Sequence, residues 1–256
     1  MVVGVDRVAG LPPRRRSGSR DRAWHSGVMD DGRWRRARAA VAVTVSSRSR
    51  TNKVEMILGL LPPAPATVLV VGVGPDGGTL GADDDPRNRV EGGLQSAGYE
   101  LTALAFDDIV PAGLIAGGAA FLRGDGLHLP FRDDAFDVVL SNAVAEHVGG
   151  PDAAARFIEE SRRVARHLAI HTTPNRWFPI ETHTKLPLVH WLPRAWQSRL
   201  LGRCRSYQWQ DTDHLFSTRE FVTLSPGGRV TRTWPRSWPM TIVVAWQTAG
   251  PPNRAG

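Results

Sequence analysis

The sequence predicts an α/β fold built on a mostly parallel sheet. Two apolar runs, TVLVVGV at 67–73 and FDVVL at 136–140, suit strands covered on both faces, the second broken only by Asp137. Strand-like and helix-like segments alternate along the chain, the order that yields parallel pairing. The carboxyl ends of the strand-like runs carry glycine, acid or amide: Gly72 and Gly74, then Asp125 and Gly126, then Ser141 and Asn142. In open α/β sheets that edge is where ligands bind.

The chain has 256 residues, enough for one domain of roughly 200 residues and a tail. Residues 1–53 hold 13 Lys/Arg and 4 Asp/Glu, a net of +9, whereas residues 54–256 hold 19 and 21, a net of −2. The high isoelectric point therefore belongs to a leader, and specific nucleic-acid binding is not expected of the body. The leader can still attract RNA, DNA or anionic lipid through charge alone. Residues 1–46, rich in Arg, Gly and Ser, are expected to be disordered, with the folded domain at 47–250. Met29 is a second candidate start, which would place residues 1–28 outside the natural protein. From Met29, RWRRARAAVAVTV mimics a short signal segment only loosely, because no small-residue cleavage pattern follows. No apolar run approaches the ~20 residues that span a bilayer. Cys204 is the single cysteine, so no internal disulfide or cysteine zinc cluster can form, and a cytoplasmic setting is expected. His183 and His190, seven apart amid prolines, have no metal-ligand spacing, and no metal is expected.

In order, Thr51–Leu61 reads as a helix, with Val54, Ile57, Leu58 and Leu61 on one face and Pro62 and Pro63 as its stop. Thr67–Val73 is the first strand. The turn G-V-G-P-D-G follows, where Gly72, Gly74 and Gly77 let the backbone bend and approach a ligand. By itself such a turn fits a dinucleotide equally well. Arg89–Ala97 reads as a short helix and Tyr99–Phe106 as the second strand, ended by Asp107 and Asp108. An acid there commonly binds ribose about 20 residues beyond the glycine turn; here Gly72 and Asp107 are 35 apart. Ala119–Arg123 is the third strand, Phe136–Leu140 the fourth and His167–His171 the fifth. Asp152–Ala165 is an amphipathic helix preceded by Pro151. Asp133, Asp134 and Asp137 read as solvent-facing turn residues and a local hydrogen-bond anchor. Thr173–Gly202 gathers Trp177, Phe178, His183, His190, Trp191 and Trp196 and is interrupted by four prolines. It should cover the rim as a lid over 173–210, either gripping a flat or sugar-like molecule or forming a small core of its own. Ser217 and Glu220 predict a capping box, and Arg229–Trp234 and Met240–Trp246 the last strands.

GDGLHLPFRDDAFDVVLSNAVAEHV, 124–148, resembles the class I S-adenosylmethionine-dependent methyltransferases, in particular their type 11 group, which carries G-D-A-x-x-L-P-F, x-F-D-x-V and an E-H-V-like segment. The resemblance implies a Rossmann-like, doubly wound, mostly parallel seven-stranded sheet ending in an antiparallel pair, with a lid after the fifth strand. It implies S-adenosyl-L-methionine as cofactor. Gly72 and Gly74 would hold its methionine half, Asp107 or Asp108 the ribose, Asp125 with Gly126 the adenine, and Asn142 the sulfonium or amino-acid part. His147 is a candidate general base beside the acceptor, or else a packing residue before the next helix. Two positions depart from the family: Val70 and Ala105 stand where acids are usual. A subset of the family carries V-G-V-x-P-D, an acidic pair after the second strand, T-P-N-R-W-F-P and H-W-L-P, and VGVGPD, FDD, TPNRWFP and HWLP match it over residues 51–202.

The implied activity is methyl transfer by in-line displacement to a small-molecule, lipid or glycan acceptor that the sequence does not name, nor does it fix the oligomeric state. The rival readings are a nicotinamide-dependent oxidoreductase and a non-catalytic binding module that kept the fold. The first predicts an acid nearer the glycine turn at the end of the second strand and a hydride-transfer site, and neither is evident.

Overall fold

The computed structural model describes residues 48–73, 89–106, 110–180, 187–193, 195–196, 199 and 214–248. All lie in the unit Ala40–Gly256, into which the chain divides after Ala39. Helix α1 covers 48–58. There follow β1 (Thr67–Val71), α2 (Val90–Ser96), β2 (Glu100–Ala105), α3 (Ala112–Ala116), β3 (Ala120–Arg123) and β4 (Phe136–Asn142). The chain continues through α4 (Pro151–Val164), β5 (Ala165–Pro174), a 3-10 turn at Val189–Trp191, α5 (Thr218–Leu224), β6 (Arg229–Arg232) and β7 (Thr241–Gln247).

The seven strands form one sheet in the order β3-β2-β1-β4-β5-β7-β6. The first five pair in parallel, and β7 runs against both of its neighbours. This is the doubly wound sheet with a C-terminal antiparallel pair that the sequence predicts. The two continuous apolar runs, β1 and β4, lie side by side near its centre, because alternate residues of each face different helix layers. Val68, Val70, Val138 and Leu140 pack with Val54 and Ile57 of α1 and with Val90 and Leu94 of α2. Leu69, Val71 and Val139 pack on the other face with Phe157 and Ile158 of α4 and Phe221 of α5.

The strand β5 is longer than the expected His167–His171. It follows α4 with no intervening loop, and its polar start is a strand because Arg166 reaches Asp137 Oδ1 on β4 at 2.8 Å. Asp137 is the hydrogen-bond anchor among the three aspartates. Its Oδ2 accepts from the Thr67 N–H and Oγ1, each at 2.9 Å, tying the starts of β1 and β4 together. Burial works to raise the Asp137 pKa, but the bonds from Thr67, with Arg166 and His167 alongside, outweigh it and hold the carboxyl below its usual value. The capping box forms as expected, with Ser217 Oγ accepting from the Glu220 N–H at 3.2 Å and Glu220 Oε2 from the Ser217 N–H at 2.8 Å.

The loop L-P-F-R-D-D is fixed from α4. Arg163 bonds both oxygens of Glu160 at 2.8 Å, Asp133 Oδ1 and the Phe131 carbonyl at 2.8 Å, and the Leu129 carbonyl at 3.1 Å. Glu160 Oε2 in turn accepts from the Leu129 N–H at 2.9 Å. The Arg163 hydrogen bonds, more than the opposing burial, keep Glu160 below the usual carboxylate pKa. Arg163→Met should cost about 1–3 kcal/mol, since it strands two carbonyls and a carboxylate at once. Urea unfolding at neutral pH checks this. Combining it with Glu160→Gln should cost less than the sum, because the two residues share partners.

Candidate functional site

The strands β1 and β4 are neighbours whose crossovers leave in opposite directions, so their carboxyl ends open a crevice. Both strands end abruptly. Gly72 has φ +82, and its N–H bonds the Leu104 carbonyl of β2 at 2.8 Å. A Cβ on Gly72 would stand 2.3 Å from Val144 Cγ2, so the turn after β1 and the turn after β4 touch with no room between them. Ala143, with φ 58, makes the second turn, its N–H held by the Thr172 carbonyl at 2.9 Å.

Asp125 lies on the same rim. Its neighbour Gly124 donates to the Ala105 carbonyl at 3.0 Å. A Cβ on Gly126 would meet Phe157 Cε2 at 2.7 Å and Val71 Cγ1 at 3.3 Å. The acid is thereby held between the ends of β1, β2 and β3. Its Oδ1 accepts from the Leu127 N–H at 2.9 Å, closing a local turn, and its Oδ2 is 3.3 Å from His128 Nδ1. The side chain keeps 42% of its surface open. Just past β2, Phe106 is 75% exposed, an apolar face on this edge.

Asn142 ends β4 in register with Thr172 of β5. Its Oδ1 accepts from Thr172 Oγ1 at 2.9 Å and from Lys53 Nζ at 2.7 Å, a residue of α1 that sequence reasoning passed over. Burial lowers the Lys53 pKa, Glu91 and Glu146 pull it back up, and Arg50 adds to the lowering. Glu146 is fully buried, with Oε2 accepting from Thr173 Oγ1 at 3.1 Å. His147, on the turn after β4, keeps 40% of its side chain exposed, with Nε2 4.0 Å from Glu146 Oε1. The structure thus brings Gly72, Asp125, Gly126, Asn142 and His147 to one edge of the sheet. Gly74, Asp107 and Asp108 lie outside the described residues.

Beyond β5 the aromatic segment divides. Phe178, Val189 and His190 are buried. Trp177 and Trp191 are 53% and 37% exposed, their ring centres 6.0 Å apart. Trp238, from the β6–β7 connection, stacks on Trp191 at 6.4 Å and donates its indole N–H to the Trp177 carbonyl. The Trp191 indole N–H bonds the Arg176 carbonyl at 2.7 Å. A small packed core and an open indole surface are both present among the described residues of this segment. His183 lies outside the described residues. No helix among the described residues is long and apolar enough to cross a membrane.

The family model described as "Methyltransferase domain" matches residues 98–170. A candidate methyltransferase of Encephalitozoon cuniculi is 47% identical over 51 residues, 20% of this chain and 24% of that protein. An uncharacterized methyltransferase of Mycobacterium leprae is 41% identical over 61 residues, 24% of this chain and 22% of its own length. The chain thus spans about a quarter of the length of these curated relatives. A SAM-dependent methyltransferase of Thermotoga maritima matches in fold, with a TM-score of 0.52 at 14% identity, covering 83% of this chain and 96% of that one. The family match and the sheet agree with the class I S-adenosylmethionine-dependent methyltransferase resemblance read from the sequence.

Proposed function

We propose that this protein is an S-adenosylmethionine-dependent methyltransferase acting on a small-molecule, lipid or glycan acceptor. The observation that supports this most is the joining of the Gly72 turn, Asp125 with Gly126, and Asn142 at one crevice. When bound, the cofactor supplies a methyl group on a sulfonium, open to in-line displacement. The chain then has to bind and align, which supplies proximity and orientation. Gly72 and Gly74 let backbone approach the methionine half, and Asp125 and the exposed Phe106 ring serve the adenine, one by hydrogen bonding and one by packing. Asp107 or Asp108 takes the ribose. His147, open to solvent beside the same turn, can remove a proton if the acceptor is a hydroxyl or an ammonium.

The residues fit such a cofactor at one end and depart from the family at another. Val70 is 1% exposed and packs among the apolar residues under α1, so β1 offers no acid to the cofactor. On α1, Arg50 Nε is buried without a hydrogen-bond partner among the described residues, and Lys53 stands beside Asn142. Cationic donors are thus in place where an anionic group could lie. The Trp177, Trp191 and Trp238 surface suits a flat or sugar-like acceptor. The single cysteine supports a cytoplasmic setting.

Thermal unfolding with S-adenosylhomocysteine and with NAD tests the reading. Saturating S-adenosylhomocysteine should raise the Tm, and NAD should not. Stabilisation by NAD alone would support the oxidoreductase instead. Asp125→Asn keeps the acceptor that closes the local turn and removes the charge. It should weaken S-adenosylhomocysteine by about 10-fold, the value of one hydrogen bond to a charged group.

A further inference from the structure

We propose that Arg50 and Lys53, one helical turn apart on α1, form the subsite for the carboxylate of the cofactor's amino-acid tail; this rests on the methyltransferase reading above. Residues three apart on a helix share a face. Lys53 Nζ is 2.7 Å from Asn142 Oδ1, which places the ammonium at the carboxyl end of β4. The register pairs Val71 of β1 with Ser141 of β4, so the next residues, Gly72 and Asn142, end the two central strands side by side. The cation therefore stands next to the glycine turn assigned to the methionine half.

Three observations favour an anion there over a purely structural lysine. Burial and the repulsion of Arg50 lower the Lys53 pKa, and Glu91 and Glu146 offset this only in part, so a further negative charge beside the pair is favourable. Arg50 Nε is buried with no hydrogen-bond partner among the described residues. Glu91 and Glu146 also act on Lys53, so the surroundings offer positive and negative groups together, as the zwitterionic end of an amino acid requires.

Two ligands separate this role from mere support of Asn142. S-adenosylhomocysteine carries the amino-acid tail, and 5′-methylthioadenosine keeps the adenosine and thioether without it. Affinities for both are measured by calorimetry on the wild type, Lys53→Met, Arg50→Met and Lys53→Arg. Both Met variants should weaken S-adenosylhomocysteine by about 10–100-fold, as expected for a lost charged hydrogen bond. They should leave 5′-methylthioadenosine within about twofold, which is less than 0.5 kcal/mol. Lys53→Arg should retain most of the affinity. Equal losses for both ligands would overturn the subsite and leave Lys53 a support for the rim, as would no loss for either. A wild type that binds 5′-methylthioadenosine as tightly as S-adenosylhomocysteine overturns the subsite while the methyltransferase reading stands. One that binds neither overturns both. If Lys53→Met fails to fold by circular dichroism, Arg50→Met, in the first turn of the helix, carries the same comparison.

Discussion

Gly72→Ala should abolish S-adenosylhomocysteine binding and cost the fold about 2–5 kcal/mol, from two separate sources. The first is conformational: Gly72 has φ +82, where a residue with a Cβ loses about 1–2 kcal/mol. The second is steric: the new methyl would lie 2.3 Å from Val144 Cγ2, 3.0 Å from Cγ1 and 3.2 Å from Cβ. Overpacking of this kind costs about 1–3 kcal/mol. Val144 has little freedom to retreat, because Ala143 before it is in a left-handed conformation and bonded to the Thr172 carbonyl at 2.9 Å. Any shift moves the turn that presents Asn142, so binding suffers beyond the loss of stability. Urea unfolding and calorimetry of Gly72→Ala, with Gly72→Ala/Val144→Ala beside it, test both parts. The double variant should recover the steric part and retain the conformational one. A Gly72→Ala protein with wild-type stability and affinity would show that this turn is neither tight nor part of the site.

The sheet was legible because its signals are local. The runs of β1 and β4 are apolar at successive positions, and only strands covered on both faces need that. The Ser217–Glu220 box spans four consecutive residues and involves nothing else. Asp125 and Asn142 could be placed at strand ends from the runs that precede them. What stayed hidden depends on partners far apart in the chain. Lys53 and Asn142 are 89 residues apart, and Trp238 lies 61 residues from Trp177. A signal for Lys53 existed all the same: Arg50 and Lys53 fall on the stripe that carries Val54 and Ile57, both buried in the core. Two cations on the buried stripe of a helix need a reason. Arg163 had no such mark, since an arginine near the end of an amphipathic helix reads as solvated. The short α3 is five residues without a side-chain cap, too brief for periodicity to register.

Between about pH 6.5 and pH 5, His171 should govern stability, and His171→Leu should remove most of that dependence. His171 lies in β5 opposite Ser141 of β4 and is fully buried. Its ring packs edge-on against Phe157 at 4.9 Å and Trp246 at 5.8 Å. Neither ring nitrogen has a hydrogen-bond partner among the described residues. Burial in these apolar surroundings pushes its pKa down to about 3. The unfolded chain has no such burial, and its imidazole titrates near about 6.5. The unfolded state therefore binds a proton that the native state refuses throughout the window between the two values. Stability from this source is complete above about pH 6.5 and falls as the pH drops, by up to ~1.4 kcal/mol per pH unit. Asp137, Glu160 and Glu220, whose pKa values are lowered from the ordinary carboxylate range, lose their contributions at more acid pH, so the two effects separate. Urea unfolding at pH 7 and pH 5 should show the wild type losing about 2 kcal/mol. His171→Leu, which keeps an apolar group of similar bulk and needs no hydrogen bond, should lose far less. An equal loss in both proteins would mean that the imidazole takes up its proton in the folded state, and that its place between Phe157 and Trp246 is open enough to let it.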